Sequence, residues 1–96
     1  MHCYFIARIT IHDPEEYSKG LGGFDSVIAP YNAKVLAVDD HPGVLEGHSS
    51  CSRVLVIGFG SEGEARRWYD SVDYQKLAEH RWRASDSEVV LASGRD

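Results

Sequence analysis

The sequence predicts an α+β fold with the element order β-α-β-β-α-β, in which a four-stranded antiparallel sheet carries two helices on one face. Three observations favour it. The chain has 96 residues, enough for one domain spanning 1–96. Four segments have apolar patterns typical of strands. Two segments between them begin with helix-capping residues and continue with a helical apolar stripe.

The first strand is predicted from Cys3 to Ile11, because its odd positions are apolar whereas its even positions are mixed. The strand ends at DPEEY, residues 13–17. There Asp13 can cap a helix, Pro14 suits the first helical position and Glu16 completes a capping box. A helix is therefore expected from this point.

The apolar stripe of this first helix advances by alternating steps of four and three residues. Its members are Tyr17, Leu21, Phe24, Ile28 and Tyr31. Three glycines interrupt the segment, at positions 20, 22 and 23, and each costs about 1 kcal/mol relative to alanine inside a helix. We therefore expect a kink or a mobile point near Gly22.

Two strands are predicted in the middle of the chain. Residues 33–40 form the second strand, 41–43 a turn, and 44–47 (VLEG) a short extension that pairs back on that strand. Residues 52–59 form the third strand, which is apolar on both faces, as expected of a central strand.

A second capping box, Ser61 with Glu64, opens the second helical region. Ser71 restarts the helix after a break. The inward stripe of the first part is Ala65, Trp68, Tyr69 and Val72, and that of the second part is Tyr74, Leu77, Ala78 and Arg81. Residues 87–93 then supply the fourth strand.

These elements assemble into the ferredoxin-like arrangement, since two right-handed βαβ crossovers joined by a hairpin place both helices on the same face of the sheet. The other face is left uncovered. Exposing an apolar sheet face to water costs about 25 cal/mol per Å². A second copy of the chain is the natural cover, so we predict a homodimer that packs sheet against sheet.

Several of these segments together resemble the small bacterial DUF1330 proteins of the dimeric α/β-barrel superfamily, over essentially the whole chain. The matching segments are DPEEY (13–17), LEG (45–47), Tyr31, Arg53, Phe59 followed by Ser61, and WYDSVDYQKL (68–77) leading to Arg81. The sequence departs from the family at Gly20, where an aromatic residue is usual, and at Gly60, where proline is usual. The loss of an aromatic side chain at Gly20 changes a possible wall of the cleft.

The resemblance implies fold and dimerisation more than activity. Relatives in the superfamily include stress-responsive barrel proteins, cofactor-free monooxygenases and muconolactone isomerase. In these proteins a cleft between sheet and helices holds a small organic molecule. By this resemblance, any catalysis here would need no cofactor.

The composition argues against several other classes of function. With 10 basic and 15 acidic residues the net charge is −5, which opposes binding to nucleic acid or to anionic membranes. Cys3 and Cys51 have no metal-ligand spacing, so neither a disulfide framework nor a metal site is expected. The N-terminal segment resembles neither a signal peptide nor a membrane span, which predicts a cytoplasmic protein.

Arg81 is the first candidate for a binding residue, because an arginine on the inward stripe of a helix is costly to bury without an anion. One interpretation is an internal salt bridge, for example to Glu46. The other is a clamp for a substrate carboxylate. The same alternatives apply to Arg53 at the start of the third strand.

Aromatic side chains supply the remaining candidates. The predicted ligand-binding set is Arg81, Arg53, Trp68, Tyr69, Tyr74, Tyr17 and Tyr31. As a stripe on a helix, Trp68, Tyr69 and Tyr74 equally suit a hydrophobic core. The candidates for catalysis are Arg81, Tyr69, Tyr74 and His80, the last as a neutral base or a surface histidine.

Two functional hypotheses follow. In the first, each subunit of the dimer binds a small organic molecule, for example an acid, and catalyses at most a cofactor-free proton transfer, isomerisation or oxygenation. In the second, the protein is a non-catalytic dimer that acts as an accessory or stress-related interaction partner. A cavity beside Arg81 would favour the first, and a solidly packed junction of helix and sheet would favour the second.

Overall fold

The computed structural model describes residues 2–48 and 50–95, and within them the predicted order of strands and helical regions is confirmed. The strands are β1 (Cys3–Ile11), β2 (Lys34–Asp39), β3 (Arg53–Phe59) and β4 (Ser85–Ser93). The helices are α1 (Pro14–Lys19), α2 (Phe24–Ile28), α3 (Glu62–Tyr69) and α4 (Val72–Ala84), with a 3₁₀ turn at Ala29–Tyr31 after α2.

The four strands form one antiparallel sheet in the order β2-β3-β1-β4. The predicted ferredoxin-like α+β fold is thus confirmed, and β3 lies inside the sheet as its two apolar faces indicated. At the centre of the sheet Ile6 stands opposite Val56 on one side and Val90 on the other. The register of β2 with β3 shifts at a bulge between Val35 and Ala37.

The three predicted capping residues begin their helices as expected. Asp13 accepts a hydrogen bond from the backbone N–H of Glu16 at 3.1 Å, and Ser61 accepts one from Glu64 at 3.1 Å. Ser71 accepts one from the N–H of Tyr74 at 3.2 Å. Each cap satisfies an N–H group that the first helical turn leaves without a backbone partner.

The glycine-rich segment divides the first helical region into two short helices. α1 ends at Gly20, and α2 begins after Gly23, whose φ of 91° lies in the left-handed region. Glycine adopts this conformation without the steric cost that a Cβ atom brings. The break allows α2 to leave the axis of α1, so the expected irregularity near Gly22 is a change of helix.

The predicted extension at 44–47 is wrong, since the described residues between β2 and β3 contain no strand. The side chain of Asp39 accepts a hydrogen bond from the N–H of His41 at 2.8 Å and turns the chain out of the sheet. Leu45 is 97% exposed, so this segment has no sheet surface to cover it.

The core lies between the sheet and the helices and is centred on Trp68, which is fully buried. Its ring contacts the rings of Tyr74 at 4.1 Å, Phe5 at 5.0 Å and Phe59 at 5.3 Å between centroids. The prediction that Val72 faces inward is wrong, since Val72 is 68% exposed. The helix is interrupted between Tyr69 and Val72, and α4 therefore does not continue the apolar stripe of α3.

In the part of the chain that the structure describes, each helix is too short or too polar to cross a bilayer.

Candidate functional site

A cavity of about 380 Å³ lies between the helices and the β1–β3–β2 part of the sheet. We call it the arginine–tyrosine cavity, after the two residue types that supply most of its polar side chains. Its lining is Phe5, Ala7, Ile9, Tyr17, Gly20, Leu21, Phe24, Asp25, Val35, Val38, Arg53, Leu55, Tyr74, Leu77, Ala78 and Arg81. The volume lies within the range of roughly 300–1,000 Å³ typical of small-molecule sites.

Arg81 reaches this cavity from the inward face of α4. Its Nη1 donates a hydrogen bond to Ser87 Oγ on β4 at 2.6 Å, and its Nη2 donates to the Tyr74 hydroxyl at 3.3 Å. Among the described residues no carboxylate pairs with it, so the predicted salt bridge to Glu46 is not formed. The half-buried guanidinium therefore has two neutral oxygen partners and keeps its charge uncompensated.

Arg53 opens β3 and lies in the same cavity lining. Its guanidinium carbon is 5.6 Å from the centroid of the Tyr17 ring, within reach of a cation–π interaction. Unlike Arg81 it has a carboxylate partner, since its Nε lies 3.5 Å from Oδ1 of the exposed Asp40. The two arginines thus differ in how far their charge is balanced.

The hydroxyls of Tyr17 and Tyr74 remain protonated at neutral pH. Burial raises the pKa of both phenols, and the nearby positive charge of Arg53 and of Arg81 offsets only part of that rise. The Tyr74 oxygen accepts from Arg81, so its own proton is available to an oxygen of a ligand. Both phenols can donate hydrogen bonds, and neither can act as a base near pH 7.

The raised phenol pKa values predict a loss of stability at alkaline pH. Above about pH 10 an unfolded tyrosine loses its proton whereas a buried one keeps it, so the unfolded state binds fewer protons and stability falls as pH rises. Below about pH 10 the stability that the two buried, protonated phenols contribute is fully present. Thermal melts between pH 8 and pH 11 should show a steeper decline for the wild type than for Tyr74→Phe, and equal slopes would contradict the expectation.

Other predicted site residues lie outside the cavity lining. Trp68 belongs to the core, and Tyr31 packs against that core after α2. Tyr69 lines a separate hollow between α3 and β4. Ligand contact by these three residues therefore has no support from their positions.

His80 joins α4 to α1 and is not among the residues lining the cavity. Its Nδ1 lies 2.8 Å from Glu16 Oε2, and this hydrogen bond is the main cause that lowers the pKa of the Glu16 carboxyl. Arg83 also approaches the same carboxylate, at 4.0 Å. The position of His80 therefore favours a structural role, a side-chain contact between α4 and α1, over the role of a catalytic base.

Several groups in or beside the site were not predicted from the sequence. Ser87 is the hydrogen-bond partner of Arg81, and Asp25 is a carboxylate at the cavity edge. Val35 and Val38 line the cavity from β2 although both are exposed. Val35 and Val38 are three positions apart, which on a regular strand would place them on opposite faces, and the bulge between Val35 and Ala37 brings both to the cavity. Neither this bulge nor the pairing of Ser87 with Arg81 could be predicted, because both depend on the tertiary fold.

Gly20 forms part of the cavity wall because α1 and α4 approach each other closely there. A Cβ atom at this position would lie 3.0 Å from the carbonyl oxygen of Leu77 and 3.1 Å from the Cβ of His80. An aromatic side chain at this position would need a different spacing between the helices. The glycine thus narrows the gap between α1 and α4.

Replacing Gly20 with alanine should lower the free energy of unfolding by about 1–3 kcal/mol, as overpacking does elsewhere. The matched control is Gly22→Ala, since a Cβ at Gly22 meets no atom within 4 Å and its φ is not positive. That variant should be neutral or more stable by up to about 1 kcal/mol. Urea denaturation of both measures the difference, and equal stabilities would show that α1 moves freely.

Within residues 2–48 and 50–95 no group of three His, Cys, Asp or Glu side chains is placed to hold a metal ion. The polar groups of the cavity are instead suited to an organic anion. Fold and cavity together define a small ferredoxin-like α+β protein with a hollow between its sheet and its helices.

A family model, "Domain of unknown function (DUF1330)", matches residues 2–95, and the chain belongs to this family. The predicted resemblance is thus confirmed. No curated protein matches the sequence.

Solved structures share the fold at low sequence identity. A protein of unknown function from Rhodopseudomonas palustris matches with a TM-score of 0.80 and 15% identity, over 98% of this chain and 82% of that one. SnoaB, a cofactor-independent oxygenase from Streptomyces nogalater, matches with a TM-score of 0.69 and 19% identity, over 99% and 94%. A dimeric ferredoxin-like protein of unknown function from Thermobifida fusca matches with a TM-score of 0.72 and 17% identity, over 98% of this chain and 92% of that one.

Proposed function

We propose that this protein is a homodimer that binds a small acidic organic molecule in the arginine–tyrosine cavity of each subunit. The observation that carries the proposal is Arg81, a half-buried cation beside a largely apolar cavity with neutral partners alone among the described residues. An uncompensated charge of this kind is costly unless an anion meets it. A carboxylate fits the guanidinium fork through charge-assisted hydrogen bonds.

Ligand binding has better support than catalysis. Among the described residues that line the cavity there is no histidine, and the single carboxylate is the exposed Asp25. The tyrosines are held in their protonated form. The site thus offers hydrogen-bond donors and a positive charge, which suit the recognition of an anion, but it lacks an enclosed base.

A thermal-shift screen of small carboxylates and phenols tests binding without a prior guess at the ligand, since a bound ligand raises stability by mass action. At a concentration of 100 times Kd the gain is about 2.7 kcal/mol. That is equivalent to a rise in melting temperature of more than about 10 °C for a domain of this size. A screen in which neither class of compound stabilises the protein would favour the alternative, a dimer that serves as a non-catalytic interaction partner.

A cofactor-free oxygenase is the second candidate, because SnoaB, one of the fold neighbours, is a cofactor-independent oxygenase. Since the described lining offers no enclosed base, the substrate would lose its proton to water, and Arg81 could then stabilise the negative charge of the enolate. In this case an enolisable acid that binds in the screen should also cause the protein to consume oxygen. If the acid binds but oxygen is consumed no faster than without protein, the oxygenase candidate is excluded for that compound and only the binding function remains.

The dimer is proposed to form through the sheet face that the helices leave open. Ile6, Val56 and Val90 stand in register on this face, and Val90 is 57% exposed. The neighbour from Thermobifida fusca is itself dimeric. The three apolar side chains adjoin Arg8 and Glu88 on the same face, and covering them with a second copy of the chain removes apolar surface from water.

Replacing Val90 with glutamate should convert the dimer into a monomer of about 10.7 kDa, because it places a charge within the proposed dimer face. The matched control is Val72→Glu on α4, which is equally apolar and 68% exposed but lies in the helical layer. Size-exclusion chromatography with light scattering at micromolar concentration measures both. A monomeric wild type would contradict the proposed dimer.

A further inference from the structure

The two arginines of the cavity are charged alike but are balanced differently. Arg53 has a partner carboxylate, Asp40, at 3.5 Å, whereas Arg81 donates to the neutral oxygens of Ser87 and Tyr74. The positive charge still to be neutralised therefore resides at the Arg81 end of the cavity. One negative charge from a ligand would neutralise it.

The donors at the Arg81 end are sufficient for one carboxylate. A guanidinium has five N–H groups. Two of those of Arg81 are used, by Ser87 Oγ and by the Tyr74 hydroxyl, which leaves three. The proton of Tyr74 adds a further donor beside them. In number, these donors are sufficient for the two oxygens of one carboxylate.

The remainder of the cavity opposes a second negative charge. Asp25 lies in the lining at the α2 side, and Asp40 stands beside Arg53. Between the polar groups the wall is apolar, formed from both sheet and helices by residues such as Ile9, Leu55 and Leu77. A charged group placed against this wall would lose its hydration without gaining a partner.

We infer that the ligand is a monocarboxylate with an uncharged, apolar body, held by its carboxylate at Arg81, and that Asp40 excludes dianions by neutralising Arg53. This inference rests on the proposed ligand-binding function and deepens it. It also assigns to Asp40, an exposed residue outside the lining, a role in specificity. Asp40 acts through Arg53 and does not itself need to contact the ligand.

Three compounds that share a 3-phenylpropanoyl group test the charge requirement: 3-phenylpropanoate, its uncharged amide 3-phenylpropanamide, and the dianion 3-(4-carboxyphenyl)propanoate, which adds a carboxylate on the ring. Binding can be followed by the fluorescence of Trp68, whose ring centroid lies 4.1 Å from that of the cavity residue Tyr74, and by calorimetry. We expect the monoanion to bind at least about tenfold more tightly than either analogue, the size of effect that one charge-assisted hydrogen bond provides.

Asp40→Asn tests the source of the selectivity. This variant should raise the affinity for the dianion by about fivefold or more, because Arg53 then becomes a second uncompensated cation. The monoanion should change by less than about twofold if its carboxylate stays at Arg81. The matched control is Asp39→Asn, whose side chain bonds the N–H of His41 and does not pair with Arg53.

Each outcome decides a different point. If the dianion binds wild-type protein as tightly as the monoanion, the inference is overturned while the proposed binding of an acidic molecule stands. If the uncharged amide binds as tightly as the monoanion, the inference and the proposed preference for an acid both fail. If Asp40→Asn and Asp39→Asn change the affinity for the dianion equally, Asp40 has no special role and that part of the inference fails. If none of the three compounds binds a folded, dimeric protein, the proposed function for this ligand class fails together with the inference.

Discussion

Replacing Trp68 with alanine should lower the free energy of unfolding by about 3–5 kcal/mol, the cost usual for a large buried aromatic residue. Trp68 is fully buried, and its ring packs against aromatic rings from the sheet and from α4. No neighbour can fill the space without leaving its own position, since the rings come from different elements. For a domain whose total stability is about 5–15 kcal/mol, this single change approaches global unfolding.

Trp82→Ala is the matched control, because Trp82 is 47% exposed on the outer side of α4. The same substitution there should cost less than about 1 kcal/mol, as is usual for surface positions. Urea denaturation followed by far-ultraviolet circular dichroism compares the two variants without relying on tryptophan fluorescence. A loss of less than 1 kcal/mol for Trp68→Ala would show that the core tolerates a cavity at its centre.

Replacing Arg81 with methionine should separate binding from stability. Methionine has a similar length and no charge, and exchanging a buried charge for an apolar side chain is often neutral or stabilising. The variant loses the hydrogen bonds to Ser87 and Tyr74 but also the cost of burying the guanidinium. We expect its stability to remain within about 1 kcal/mol of the wild type.

The affinity of Arg81→Met for a carboxylate ligand should fall by about 10- to 100-fold, since hydrogen bonds to charged groups contribute about 1.5–3 kcal/mol. Arg83→Met is the control on the same helix. Arg83 is exposed, approaches Glu16 and Glu79, and does not line the cavity, so its loss should leave the affinity unchanged. If Arg81→Met unfolds the protein, Arg81 has a structural role, and equal affinities for the two variants would exclude it from ligand binding.

The strands and the helix starts followed from local signals in the sequence. The alternation of Cys3–Ile11, the two-sided apolar character of Arg53–Phe59 and the caps at Asp13, Ser61 and Ser71 all depend on nearby residues. Such signals involve residues only a few positions apart, so the structure that they favour does not depend on the tertiary context. For this reason the order of elements could be predicted.

The site could be predicted only in part. Helical periodicity placed Tyr74 and Arg81 on one inward face, and both line the cavity. Their partners could not be predicted, because Ser87 meets Arg81 only after α4 has returned the chain to the sheet. The prediction that Val72 faces inward was wrong, because the apolar stripe of α3 does not extend across the interruption between α3 and α4.

β2 forms one border of the sheet, and all six of its residues are exposed. A straight border with unpaired amides and carbonyls would invite other chains to add strands and build fibrils. The bulge between Val35 and Ala37 interrupts the regular spacing of those groups. This one-residue irregularity therefore makes the β2 border a poor template for strands of other chains and disfavours open-ended polymerisation. A variant lacking Leu36 should form fibrils on prolonged warming, whereas the wild type should not.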